Sequence, residues 1–80
     1  MNREKTVYLG YSLQALAAYD DGSYASMYIV RPPGGTERVS PVLGHFASPA
    51  DAVQFALRRA KTDVDHMSSG ESRQVIKEYL

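Results

Sequence analysis

The chain has 80 residues and no cysteine, and its nine basic and nine acidic residues give a formal net charge of zero. That length specifies one domain near the size at which a single core is only just sufficient, and without cysteine neither disulfides nor thiolate–metal bonds can reinforce it. The charge balance excludes the strong field of a non-specific nucleic-acid binder or a membrane-surface helix, the Leu13–Ala18 apolar run is too short for a bilayer span or a signal core, and the lack of cysteine points to a cytoplasmic setting.

Residues 1–5 are polar and are expected to fray. From Thr6 to Tyr19 the chain is rich in Val, Tyr, Leu and Ala, then stops at Asp20-Asp21-Gly22; a β-rich run, Ser23 to Arg31, follows. Two such runs around an Asp-Gly step predict a hairpin. Leu13–Ala18 could alternatively form a short helix, since Leu and Ala are good helix formers, although Gly10 would weaken one. A three-residue loop with Gly22 left-handed would pair Tyr19 with Ser23, Ala17 with Ala25, Ala15 with Met27 and Leu13 with Ile29. That face is wholly apolar and leaves Gln14, Leu16, Ala18, Tyr24, Ser26 and Tyr28 on the other. A two-residue Asp21-Gly22 turn slips the register by one and mixes the two sets, so the apolar partition favours the longer loop. The small residues Ala15, Ala17 and Ala25 would then let a helix sit close to the sheet.

Pro32-Pro33-Gly34-Gly35 ends the second strand, because proline lacks a ladder donor and glycine allows tight reversal. A third run, Glu37 to Phe46, contains Pro41, which confines it to an edge or a bulge and makes Ser23–Arg31 the central strand. A helix is predicted from Ser48-Pro49-Ala50-Asp51: Ser48 caps the free N–H groups, Pro49 suits the first helical position, and Asp51 complements the helix dipole. Val53, Leu57, Ala60, Val64 and Met67 lay an apolar stripe along about 27 Å of helix. Ser68-Ser69-Gly70 predicts a stop, and Val75, Ile76, Tyr79 and Leu80 share one face of a short C-terminal helix that needs something to pack on. The expected fold is α+β: an antiparallel three-stranded meander (core 6–67) with one long helix on one face and residues 68–80 as a tail or short helix.

Two surfaces stand out. Phe55 falls opposite the helix's apolar stripe, beside Ala52, Arg59 and His66, and an aromatic residue there asks for cover. The C-terminal residues folding back over it are the plain structural explanation; an interface of Phe55, Arg59 and His66 with another protein or a second copy is the functional one. In the favoured register Tyr24 and Tyr28 face solvent from the central strand, where with Arg31 and Arg38 they could stack nucleobases. β propensity alone also accounts for tyrosines there, and the neutral charge disfavours nucleic acid. The basic cluster Arg58, Arg59 and Lys61 fits a solvated helix face. His45 and His66 lack metal-ligand spacing with each other or with a carboxylate cluster, and Asp20-Asp21 fits turn chemistry better than acid–base work. No cofactor, metal site or enzymatic activity is expected.

Asp21-Gly22-Ser23-Tyr24, with Gly44-His45-Phe46-Ala47-Ser48-Pro49-Ala50-Asp51-Ala52-Val53-Gln54-Phe55-Ala56-Leu57, resembles the sheet-then-helix outline of arm-type DNA-binding domains of phage integrases. The helix start more loosely resembles that of double-stranded RNA-binding domains, but Ser48-Pro49-Ala50-Asp51 stands where those have lysines. Residues 7–66 as a whole are similar to short bacterial proteins of unknown function. The shared marks are a strand pair around Asp-Gly, a third strand ending Gly-x-Phe, and a Ser-Pro-x-(Asp/Glu)-Ala helix start. That resemblance implies a stand-alone domain and no particular activity. Taken together, the residues predict a small non-catalytic protein-interaction module, self-associating or with another protein, with weak nucleic-acid binding as the alternative.

Overall fold

A computed structural model describes residues 2–78 in backbone and residues 4–67 in side chain. The chain runs β1 (Asn2–Tyr8), β2 (Tyr11–Asp20), β3 (Ser23–Arg31), β4 (Arg38–Val39), β5 (Gly44–Phe46) and α1 (Pro49–Glu78). All pairings are antiparallel: β1, β2 and β3 form a meander, and both β4 and β5 pair with β3. The α+β class, the sheet with a helix on one face and the central place of Ser23–Arg31 are as expected, and Leu13–Ala18 is strand.

The sheet has five strands rather than three. Thr6–Tyr19 is not one segment, because Leu9 and Gly10 both take positive φ (52° and 82°) and reverse the chain. This is a two-residue hairpin, and it recruits the N-terminal residues into β1. The Glu37–Phe46 run is split around Pro41 into β4 and β5. Between them the ladder survives in altered form. The N–H groups of Ser40 and Leu43 donate to the carbonyls of Tyr28 and Ser26, both at 2.8 Å, and the Ser40 hydroxyl accepts the Tyr28 N–H at 2.9 Å. Pro41, which has no N–H, sits where none is required.

The β2–β3 register also differs from the expected one. Asp21 and Gly22 have φ of 50° and 88°, so the loop is two residues long and pairs Asp20 with Ser23 and Tyr19 with Tyr24. Leu13 then faces Val30, Ala15 faces Tyr28 and Ala17 faces Ser26. Each residue of β3 therefore lies on the face opposite to the one expected. A mixed inner face is tolerable because its polar atoms are satisfied. The Ser26 hydroxyl, fully buried, donates to the Ala52 carbonyl at 2.7 Å, and the Tyr28 hydroxyl donates to Asp63.

Ser48 caps α1 as expected, its Oγ accepting the Asp51 N–H at 3.2 Å. The docked stripe is Ala52, Val53, Ala56, Ala60 and Val64, which centres on the alanines rather than on Val53 and Leu57. Ala52 is thus core, not outer face. Together with Ala15 and Ala17, the alanine stripe sets a close helix–sheet contact, with Leu13, Val30 and Val64 filling it. The α1 trace carries no interruption at Ser68-Ser69-Gly70. The expected packing of Val75, Ile76, Tyr79 and Leu80 lies outside the residues whose side chains are described.

Candidate functional site

Two features of this architecture offer a surface, and both follow from the β2–β3 register. The first is the sheet face that α1 leaves bare. Period-two alternation puts Leu16 of β2, Met27 and Ile29 of β3 and Val39 of β4 on this face, with Val7 of β1. Leu16, Met27 and Ile29 are partly exposed, whereas Val7 and Val39 are 71% and 65% exposed. Arg31 lies at one end of the face; at the other, His45 Nε2 lies 3.1 Å from Asp20 Oδ2.

The second is a cleft of about 440 Å³ on the helix side, between α1 and the β4 corner. α1 crosses the sheet on a slant. Its start meets β5, where the Phe55 and Phe46 rings lie 5.1 Å apart at 40°, and further along it is tied to β1 by the Tyr8 hydroxyl, which donates to Asp65 at 2.8 Å. The helix packs on β1, β2, β3 and β5, and β4 falls outside its footprint among the described residues. The cleft opens there, with Tyr28, Val30, Arg38, Val39, Asp63, His66 and Met67 among its lining.

Asp63 is the electrostatic centre of this corner. It accepts the Tyr28 hydroxyl and, at 3.3 Å, the Arg59 Nε–H one helical turn away. Burial of the Tyr28 phenol and its bond to the Asp63 carboxylate push the phenol's pKa up to about 12, against a smaller downward pull from Arg59. Both effects disfavour tyrosinate. Tyr8 is shifted in the same direction, first by its hydrogen bond to Asp65.

The expected sites are redistributed. Phe55 is half-buried under Phe46, so β5 supplies the cover it lacked on the helical wheel. Arg59 is engaged by Asp63, and His66 belongs to the cleft. The expected nucleic-acid face does not exist as one surface: Tyr24 and Tyr28 point towards the helix, Arg38 overhangs the cleft, and only Arg31 lies on the open face. His66, Tyr28 and Arg38, taken from two separate expected sites, are brought together. Met27 and Ile29 were missed as surface residues, and reading Asp21-Gly22 as a two-residue turn would have found them. Among the described residues, no helix is long and apolar enough to cross a membrane. No protein family, curated protein or solved structure matches the chain.

Proposed function

We propose that this protein is a small interaction module that pairs with a second copy of itself through the bare face of its sheet. The observation that carries this is the cluster Leu16, Met27 and Ile29 on the inner strands, with Val39 beside Ile29 and Val7 beyond Lys5 and Gln14, on a face over which no described element packs. A sheet normally buries one face against a second layer, and domains are stable when two layers enclose the apolar side chains. Here the fully buried helix-side core holds Leu13, Val30, Val53, Val64 and Tyr28 with alanines between them, and partly buried residues such as Tyr8, Leu43, Phe46 and Leu57 pack around it. A second copy supplies a further apolar layer to a chain of marginal size.

The strands, of 7, 10, 9, 2 and 3 residues, present roughly 490 Å² in plane at a rise of ~3.3 Å per residue and a spacing of ~4.8 Å. This is below the ~800 Å² per partner of a standard interface and suits a weak, reversible dimer. The ends of the face are also self-complementary. A two-fold axis running across the strands brings Arg31 of one copy to the Asp20 end of the other. The lack of cysteine fits a reducing, cytoplasmic setting for such a dimer.

Sedimentation velocity over a concentration series tests this. The wild-type chain is expected to shift from monomer to dimer, and Met27→Glu or Ile29→Glu to stay monomeric while remaining folded. A wild-type chain that stays monomeric at millimolar concentration overturns the proposal.

A further inference from the structure

The cleft at the β4 corner opens on the helix side of the sheet and shares only Val39 with the proposed dimer face, so the residues that carry it can be tested separately. We infer that this cleft binds a small organic monocarboxylate with an apolar body, of the size of phenylacetate. At about 440 Å³ it falls within the range of small-molecule pockets, and its wall is mainly apolar, from Val30, Pro41 and Met67. Such a surface takes the ligand's hydrocarbon part.

Charge decides the rest. The one acid lining the cleft, Asp63, is already engaged on two sides, by the Tyr28 hydroxyl and by Arg59. A cationic ligand would have to compete with Arg59 for that carboxylate. Arg38 and His66, both lining the cleft, make no hydrogen bond or ion pair with any described residue. Both line the same cleft, so their donors are available to one ligand. Arg38 can hold a carboxylate through two parallel N–H···O bonds, with the body directed inward against Val30 and Met67. His66, lining the same cleft, can add a second donor. The Tyr28–Asp63 pair fixes the floor.

Titration of the isotope-labelled full chain with phenylacetate, followed by amide NMR shifts, tests this inference. Saturable shifts are expected at Val30, Arg38, Ser40 and Met67. The neutral analogue phenylacetamide is expected to bind roughly tenfold more weakly, the gap of a lost charge-assisted pair. Acetate, which keeps the charge and lacks the body, is expected to bind more weakly still. Arg38→Gln, on an exposed two-residue strand, should leave the spectrum otherwise native and weaken phenylacetate about tenfold. Equal response to the acid and the amide, unchanged affinity in Arg38→Gln, or no saturable shift at these amides overturns the inference, and acetate binding as tightly as phenylacetate overturns the role of the apolar wall.

Discussion

The hydroxyl of Ser26, fully buried in the central strand, donates to the backbone carbonyl of Ala52 in the first turns of the helix at 2.7 Å. This bond places a polar side chain on a face that the apolar pattern alone would have kept hydrophobic, and it sets where along the sheet the helix begins. Ser26→Ala should destabilise the chain by about 1 kcal/mol, the usual net worth of such a bond. A lowered denaturation midpoint with unchanged slope is the expected signature. Ser26→Val adds volume at a closed site and should cost more, about 1–3 kcal/mol; a neutral Ser26→Val would show that the contact is loose.

Gly22 has a φ of 88°, and a Cβ built there meets no heavy atom within 4 Å. Any cost of Gly22→Ala is therefore backbone strain, roughly 1–2 kcal/mol for a left-handed residue. Asp21→Asn should be close to neutral, since both residues tolerate that conformation. Asp21→Val should cost clearly more, as a β-branched residue at its φ of 50°. Thermal unfolding of the three variants tests the ranking; an Asp21→Val midpoint equal to that of Asp21→Asn would contradict the two-residue turn.

The Phe46 and Phe55 rings, 5.1 Å apart, join the three-residue β5 at the sheet edge to the helix. Either residue replaced by alanine should lose stability, and a double-mutant cycle should return a coupling of about 0.5–1.5 kcal/mol. Zero coupling would mean that Phe55 is not covered by β5 in solution.

Tyr28 links stability to alkaline pH. Its phenol has a folded-state pKa of about 12 against 10.0 for the free side chain. A group raised on folding contributes stability that is fully present below the unfolded value and fades as pH rises towards the folded one. The difference in unfolding free energy between wild type and Tyr28→Phe should therefore be constant up to about pH 9 and shrink between pH 10 and about 12. At neutral pH the substitution should cost about 1.5 kcal/mol, the lower end for a hydrogen bond to a charged group, because Asp63 keeps Arg59. A gap that does not narrow at high pH separates the hydroxyl from folding.

The helix start, the Pro41 edge and the strand character of Ser23–Arg31 could be read directly from the residues, because each rests on a local rule: a cap, a missing N–H, a β-rich run between breakers. The register could not. Two rules competed there, and the apolar partition was weighted above the turn chemistry of Asp21-Gly22. Side-chain hydrogen bonds from Ser26 and Tyr28 to the helix removed the penalty on the mixed face, and those partners are distant in sequence. The Leu9-Gly10 reversal was hidden for a different reason, since leucine rarely takes a positive φ and gives no turn signal. The cleft was hidden because it depends on the slant of the helix across the sheet. Periodicity specifies which face docks, not where the axis lies.

The tight reversals at Leu9-Gly10 and Asp21-Gly22 also bear on the order in which the chain can find its structure. β1, β2 and β3 each pair with the next segment along, so most of the sheet assembles by closing loops of a few residues at little entropic cost. The helix is different. Its tethers span 26 residues from Ser26 to Ala52, 35 from Tyr28 to Asp63 and 57 from Tyr8 to Asp65. Docking the helix is thus the step that closes the long loops. The alanines along its inner side put little side-chain bulk in the way of that approach.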